Sequence, residues 1–316
     1  MELQSYDIAL ACYNGEKYIE AQLNSIIKSV SFCTIAKLNK IIISDDNSTD
    51  NTIELVERLF QNNPCIDIYI NKGKKGVKNN FQNALSFSSS EYVFLSDQDD
   101  LWHEDKIERS MAEMLKVKFE NKLLNIPILI FSDLNFVDEN LNLLSVGLGI
   151  NSDDPKNPSC TAYRSYGQGC TMLMNRELLN ISGPIPEESV MHDWWFLLIA
   201  SNFGIVSYIN VPLMDYRQHN NNVCGGYQNR KLNRFFNIKK QTDYLNDVSK
   251  QSLFFTNKYY DMLSVNELRS SLSLHEFFAN IDNIGISTRI IYFFKRKIKV
   301  RGIKDNIKLI LQLLLK

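Results

Sequence analysis

The sequence predicts an α/β fold, a mostly parallel sheet flanked by helices, with a basic helical extension at its C-terminal end. Three observations predict it. Short runs of β-forming residues alternate with stretches of helical period through the first third of the chain, the pattern of βαβ units joined by right-handed crossovers. The fourth run, Tyr92 to Leu95, stops in Asp97, Asp99 and Asp100, a carboxylate cluster at the carboxyl end of a strand, where open α/β sheets bind their ligands. Charge is divided as well: residues 228–316 hold 17 Lys+Arg against 7 Asp+Glu, net +10, so the overall −1 leaves −11 on residues 1–227.

The elements follow in order. Asp7 to Cys12 is a short apolar run and therefore a strand. Asn14-Gly15 supplies a turn, and Ile19, Leu23, Ile26, Ile27 and Val30 then recur at helical spacing. Lys40 to Ser44 repeats the strand, Asp45-Asp46-Asn47-Ser48-Thr49-Asp50 the loop, and Ile53, Val56, Leu59 and Phe60 the helix, which Pro64 stops. Ile66 to Ile70 is a third strand, Gly76 to Phe87 a third helix and Tyr92 to Leu95 a fourth strand. Further on, strands are expected at Ile126 to Phe131 and Gly167 to Met174, with the polar, proline-bearing segment Asn151 to Ser159 between them as a mobile loop. A helix beginning at His192 or Asp193 is apolar on nearly every face, hence buried. After Pro212 a strand leads into Arg217, His219 and the turn Gly225-Gly226, and from Gln228 the pattern is helical and basic.

Composition, at 44% hydrophobic and 22% charged over 316 residues, is that of an ordinary folded protein. No basic start followed by an apolar stretch marks a secretory leader, and no run approaches the ~20 apolar residues of a spanning helix. The six cysteines show no short paired spacing, so free thiols and a cytoplasmic location are expected.

Carboxylates as close as Asp97, Asp99 and Asp100 repel one another, and a hard divalent metal, Mg or Mn, that also holds a phosphate is the economical partner. A calcium loop is excluded because Trp102 stands where the sharp turn needs glycine. A metal-dependent phosphotransferase or phosphatase is the alternative chemistry, and a solvated acidic turn the bland reading. Strand ends bring Tyr13-Asn14, Asp45-Asp46 and the acid cluster to one crevice. An aromatic face, an acceptor for a ring N–H and a metal-holding cluster together suit a nucleoside diphosphate. Tyr13 as a strand-end core aromatic and Asp45 in an Asx-turn are the structural alternatives. The lack of Gly-x-Gly-x-x-Gly after the first strand and of a Walker loop argues against a dinucleotide oxidoreductase or a P-loop ATPase.

Tyr13-Asn14-Gly15, Ser44-Asp45-Asp46-Asn47-Ser48-Thr49-Asp50, Gly76-Val77-Lys78-Asn79-Asn80-Phe81 and Ser96-Asp97-Gln98-Asp99-Asp100-Leu101-Trp102 together resemble glycosyltransferase family 2. Within it the resemblance, which spans about residues 6–226, is to bacterial rhamnosyltransferases of surface-polysaccharide assembly. It implies a GT-A fold in a catalytic domain of residues 1–227, with a nucleotide-sugar half at about 1–115 and an acceptor half at about 116–227, followed by the extension 228–316. It also implies a nucleoside diphosphate sugar donor, a divalent metal and inversion at the anomeric carbon. dTDP-rhamnose is the favoured donor, UDP-galactose or UDP-glucose the alternatives, and a growing, lipid-linked surface glycan the acceptor. Carried over by position, Tyr13 packs on the pyrimidine with Asn14 beside it, Asp45 accepts from the ring N–H, and Lys78 lies near the nucleotide. By the same mapping Asp97 contacts the ribose or metal, Asp99 ligates the metal and Asp100 lies on the sugar or metal side. A non-catalytic sugar-binding module on the same fold is the non-enzymatic alternative.

Inverting transfer needs one carboxylate within reach of the acceptor hydroxyl. In Glu187-Glu188-Ser189-Val190-Met191-His192-Asp193-Trp194-Trp195, the residue that matches the family's base is Asp193; otherwise an Asp here is only a first-turn charge that suits the helix dipole. Arg217 and His219 match the family's Tyr-Arg-x-His pattern, which makes Arg217 a nucleotide-sugar contact and His219 a metal or diphosphate contact, or else a satisfied loop histidine. Residues 289–316 mix apolar and basic residues as interfacial helices do, predicting peripheral contact with an anionic inner membrane face. Packing of their apolar side on the catalytic domain competes with that expectation, and no motif supports nucleic acid.

Overall fold

The computed structural model describes residues 3–121, 125–219, 238–265, 268–296 and 302–315. The chain opens with β1 (Gln4–Cys12), α1 (Ile19–Phe32), β2 (Ala36–Asp45), α2 (Thr52–Phe60), β3 (Ile66–Ile70), α3 (Val77–Ser86) and β4 (Tyr92–Asp97). These four strands are parallel neighbours in the order β3-β2-β1-β4, as the alternation of strand and helix requires. Period two assigns the faces: Tyr6, Ile8, Leu10 and Cys12 of β1 enter the core that α1 covers, while Ala9 and Ala11 turn to the core that α3 covers.

The chain continues through β5 (Leu101–Trp102), α4 (Lys106–Asn121), β6 (Ile128–Val137), β7 (Leu143–Val146), α5 (Pro158–Thr161), β8 (Met172–Asn175), α6 (Arg176–Ser182), α7 (His192–Phe203) and β9 (Ile205–Arg217). The sheet extends from β4 as β4-β8-β6-β9-β5, with β7 paired to β6. β6 and β9 are parallel; β8, β7 and β5 run antiparallel to their neighbours. Only residues 98–100 join β4 to β5, yet β8, β6 and β9 lie between them in the sheet. Four strand spacings cover about 19 Å, and four residues of extended chain reach about 14 Å. The sheet therefore curls until β5 returns to the end of β4, and the acid cluster is the link that spans the curl.

The segment expected to be a mobile loop, 151–159, is built of helical turns, Asp154–Lys156 and α5, with Pro155 and Cys160 buried. Its prolines stand at first-turn positions, where a missing N–H costs nothing and the fixed φ starts the turn. Cys12, Cys33, Cys65, Cys160 and Cys170 are free thiols.

α7 is buried along almost its whole length and forms one core with α8 (Ile238–Leu263), α9 (Arg269–Ala279), α10 (Ile286–Arg296) and α11 (Gly302–Leu315). Phe255, Phe278, Phe293, Leu309 and Leu313 enter that core, each worth about 1.5–3 kcal/mol when fully buried. Polar ties accompany them: Tyr259 Oη donates to Ile181 O at 2.7 Å, Tyr244 Oη to Tyr163 O at 2.6 Å, and Tyr163 Oη to Gln312 Oε1. One stripe of α10 and α11 thus packs inward, while Ile286, Ile291, Phe294, Leu311 and Leu314 are exposed. Among the described residues no helix is long and apolar enough to cross a membrane.

Candidate active site

The loop after β1 is welded to the loop after β2. Asn14 takes φ 49°, which an Asn tolerates; its Oδ1 accepts from Thr49 N and its N–H donates to Ser48 Oγ, both at 2.8 Å. Gln98, from the β4–β5 link, clamps the neighbouring residue: its Oε1 accepts from Tyr13 N at 2.8 Å and its Nε2 donates to Tyr13 O at 3.0 Å. A Cβ on Gly15 would stand 2.3 Å from that Oε1, so a side chain there would push Gln98 out of its clamp on Tyr13. Tyr13 is therefore held at the rim with 49% of its surface exposed, which excludes a core role.

A cleft of about 580 Å³ opens here. Tyr13, Asn14, Asp97, Asp99, Asp193 and His219 line it; Asp45, Lys78, Asp100 and Arg217 do not. Asp45 is buried in an Asx-type turn: its Oδ2 accepts from Ser48 N at 2.8 Å and its Oδ1 from Ser48 Oγ and, at 3.5 Å, from Cys12 Sγ. Asp46 is the one that faces the cleft, held by Gly76 N at 2.6 Å and Asn71 Nδ2 at 2.8 Å. Lys78 donates to the carbonyls of Glu187, at 2.8 Å, and Ser189, tying α3 to the loop before α7; burial lowers its pKa. Asp100 is buried and its Oδ1 accepts from Arg217 N at 3.1 Å. Arg217 donates through Nε to Asp99 O at 2.9 Å and through Nη1 to Glu139 O at 2.7 Å, and its guanidinium lies 4.7 Å over the Tyr18 ring. It braces the acid link. The Gly225-Gly226 turn lies outside the described residues.

His219 Nε2 stands 2.7 Å from Asp99 Oδ2, and its ring stacks on Tyr18 at 5.1 Å. Burial, then repulsion from Asp99 and Asp193, pushes the Asp97 carboxyl up to about 7. Two carboxylates and an imidazole on one cleft wall, one carboxylate unwilling to ionise alone, fit a divalent cation of the Mg or Mn kind. Among the described residues, the acid, histidine and cysteine group whose ligand-type atoms all lie within 4.8 Å of one another is a different one, Asp97, Asp100 and Cys170. Neither Asp100 nor Cys170 lines the cleft, and burial followed by the charges of Asp100 and Asp97 keeps the thiol protonated. Beneath it lies a residue that sequence reading missed. Lys106 is fully buried, its Nζ 2.8 Å from Cys170 O and 4.6 Å over Trp102; burial pulls its pKa to about 8, against the pull of Cys170, Asp100 and Asp97.

Asp193 opens α7 from the same cleft. Its Oδ1 accepts from Trp194 N at 2.6 Å and its Oδ2 from Gly169 N at 3.2 Å, yet burial outweighs both bonds and raises the carboxyl to about 6. At neutral pH it is an ionised carboxylate with a proton affinity above the ordinary, which is what a general base requires. Glu187 and Glu188, the nearest acidic alternatives in sequence, are both exposed, and Glu187 is paired with Lys74 at 2.6 Å.

The model of the family described as Glycosyl transferase family 2 matches residues 7–127. The dTDP-rhamnosyl transferase RfbG of Shigella flexneri is 30% identical over 233 residues, which cover 68% of this chain and 73% of that protein. The UDP-Glc:alpha-D-GlcNAc-diphosphoundecaprenol beta-1,3-glucosyltransferase WfgD of Escherichia coli is 25% identical over 252 residues, 78% of this chain and 87% of that one. Among solved structures, S. aureus TarS 1-349 in complex with UDP-GlcNAc shares the fold, with a TM-score of 0.53 at 15% identity over 98% of this chain and 90% of the other.

Proposed function

Since the chain belongs to glycosyltransferase family 2 and has the GT-A fold, we propose that it is a metal-dependent, inverting transferase. In this reading it moves rhamnose from dTDP-rhamnose onto a growing, lipid-linked surface glycan. The observation that carries the reading is the meeting, in one cleft, of a nucleotide-type rim, a metal-type donor set and a carboxylate raised to about 6. The names of RfbG and WfgD support the donor and the lipid-diphosphate acceptor respectively.

The residues divide the work. Tyr13 offers its exposed ring face to the pyrimidine, and Asp46, in place of Asp45, accepts from the ring N–H. Asp97, Asp99 and His219 hold the divalent cation, which when bound offsets the charge of the departing diphosphate. Asp193 takes the proton of the acceptor hydroxyl as that oxygen attacks the anomeric carbon in line with the leaving diphosphate, and the configuration inverts. Gln98, Arg217 and Lys78 fix the loops that carry these groups. The exposed apolar residues of α10 and α11, in a segment 286–316 with nine Lys+Arg and one Asp, rest on the anionic inner face of the cell membrane, where lipid-linked acceptors are met.

The test is incubation of the purified protein with Mn²⁺, a panel of dTDP-, UDP- and GDP-sugars and a polyprenyl-diphosphate-linked acceptor. Free nucleoside diphosphate and an inverted linkage by NMR are expected, with dTDP-rhamnose the preferred donor. Inorganic phosphate as product would point to the phosphotransferase chemistry, and binding without turnover to a sugar-binding module.

A further inference from the structure

The acid link is anchored at its far end by β5, whose two residues, Leu101 and Trp102, pair with Asp215 and Met214 of β9. Two pairs are a short grip, and the next residue, His103, extends it. Its N–H donates to Leu213 O at 3.0 Å. Its ring also lies on β9, with Nδ1 3.1 Å from Pro212 O and Nε2 3.0 Å from Asp215 Oδ1. A carbonyl and a carboxylate can only accept. A neutral imidazole has one N–H and would turn a lone pair on one of them, so the doubly protonated ring is the form that donates to both. Asn135 of β6 steadies the arrangement, its Nδ2 reaching the same Asp215 oxygen at 2.9 Å. The charges around the ring favour the imidazolium: Asp215 first, then Asp105 ahead of α4, which also pairs with Arg109 at 2.6 Å. Arg217 of β9 acts on Asp215, and Glu104 pairs with Lys28 of α1 at 2.5 Å. The hydrogen bond to Asp215 outweighs partial burial and raises the ring's pKa above the ordinary 6.5.

We propose that His103 is a positioning residue: as an imidazolium it latches β5 to β9 and so fixes the link that carries Asp99, and the latch opens when the ring loses a proton. The proposal rests on the reading of that link as the element that holds metal and donor. A histidine raised on folding adds stability that is complete below its ordinary 6.5 and is lost as pH rises through the folded value. Transfer should therefore carry an alkaline limb set by His103, opposite in direction to the acid limbs of Asp97 and Asp193.

His103→Gln keeps a donor and removes the charge; Asp215→Asn keeps the ring and removes the carboxylate. In ¹⁵N-labelled, metal-free protein the His103 ring should titrate above 6.5 by NMR, and Asp215→Asn should bring that titration down. Exchange of the Arg217 backbone N–H, which is donated to Asp100, should be about tenfold faster at pH 7 in both variants, the scale of one hydrogen bond to a charged group. The alkaline limb of nucleoside diphosphate release should vanish in His103→Gln and move to lower pH in Asp215→Asn. Should His103→Gln fail to fold, Asp215→Asn alone carries the test. A ring that titrates at or below 6.5, or variants with wild-type exchange and an unmoved limb, would overturn the inference. Wild-type protein that releases no nucleoside diphosphate overturns the transferase reading, and the ring titration and amide exchange, made without metal or donor, then decide the latch by themselves.

Discussion

Asp193→Asn changes one oxygen to an amide nitrogen and leaves the shape of the site intact, so its effects can be worked out term by term. With a folded pKa of about 6, Asp193 is roughly nine-tenths ionised at pH 7 and half ionised at pH 6. Transfer by the unaltered protein should therefore fall about tenfold per pH unit below 6. The carboxyl is raised from 3.8 to about 6, on the order of 3 kcal/mol. A raised carboxylate binds its proton more tightly folded than unfolded, so that stability is present below about pH 4, is lost as pH rises toward 6, and is absent at neutral pH. Asn escapes the loss but turns its NH₂ toward a backbone N–H, of Trp194 or Gly169, at about 1–3 kcal/mol. The two terms nearly cancel, and the melting temperature at pH 7 should move by only a few degrees. Transfer, in contrast, should fall by ~10²–10⁴ with nucleotide-sugar affinity kept, and the residual rate should lose its limb near pH 6. The assay is release of nucleoside diphosphate from pH 5 to 8, beside calorimetric donor titration. A variant with a near-normal rate, or one that keeps the limb at 6, would refute the assignment of the base.

The other predictions concern the donor, the metal and the tail. Asp46→Asn should weaken dTDP binding about tenfold by calorimetry, the scale of one hydrogen bond, whereas Asp45→Asn should lower the melting temperature and leave the dTDP affinity of the folded protein close to normal. Mn²⁺ affinity should fall about tenfold per pH unit below 7, because Asp97 must give up its proton to bind the ion; Asp99→Asn should weaken Mn²⁺ at every pH, and excess chelator should mimic it in donor binding. A pH-independent Mn²⁺ isotherm would remove Asp97 from the ligand set. Ile291→Ser with Phe294→Ser, both exposed, should spare the melting temperature and abolish co-sedimentation with anionic vesicles, while Leu313→Ala should cost about 2–5 kcal/mol in denaturant unfolding. Vesicle binding unchanged in the double variant would leave α10 and α11 with a packing role alone.

The first four strands were legible because each is a local run bounded by turn chemistry, and their faces follow from alternation. The acid cluster was legible for the same reason: it interrupts an apolar strand. What failed depended on distant contacts. Asp45 and Asp46 are adjacent and chemically identical, and which one lines the cleft is decided by Ser48 capturing Asp45 and by Gly76 and Asn71 capturing Asp46. Lys106 sits in a helix rich in charge and reads as solvated, but the turn that precedes β8 and the strand β9 enclose it, bringing Cys170 and Met214 from 64 and 108 residues away. β5 is two residues long and exists only by pairing with Met214 and Asp215, so no local pattern announces it. Arg217 and Lys78 were expected at the nucleotide; neither lines the cleft, and both donate to backbone carbonyls of the neighbouring loops.

Tyr163 connects two regions that an engineer would be tempted to separate. Its hydroxyl is bound to Gln312 near the C-terminal end, its carbonyl receives Tyr244, and a few residues on the same segment becomes the Gln168-Gly169 wall beside Asp193. Exchanging the C-terminal helices with those of a relative would break that joint unless residues 158–182 travel with them. A shortened protein without α11 would likewise uncover the core around Leu309 and Leu313 and release Tyr163.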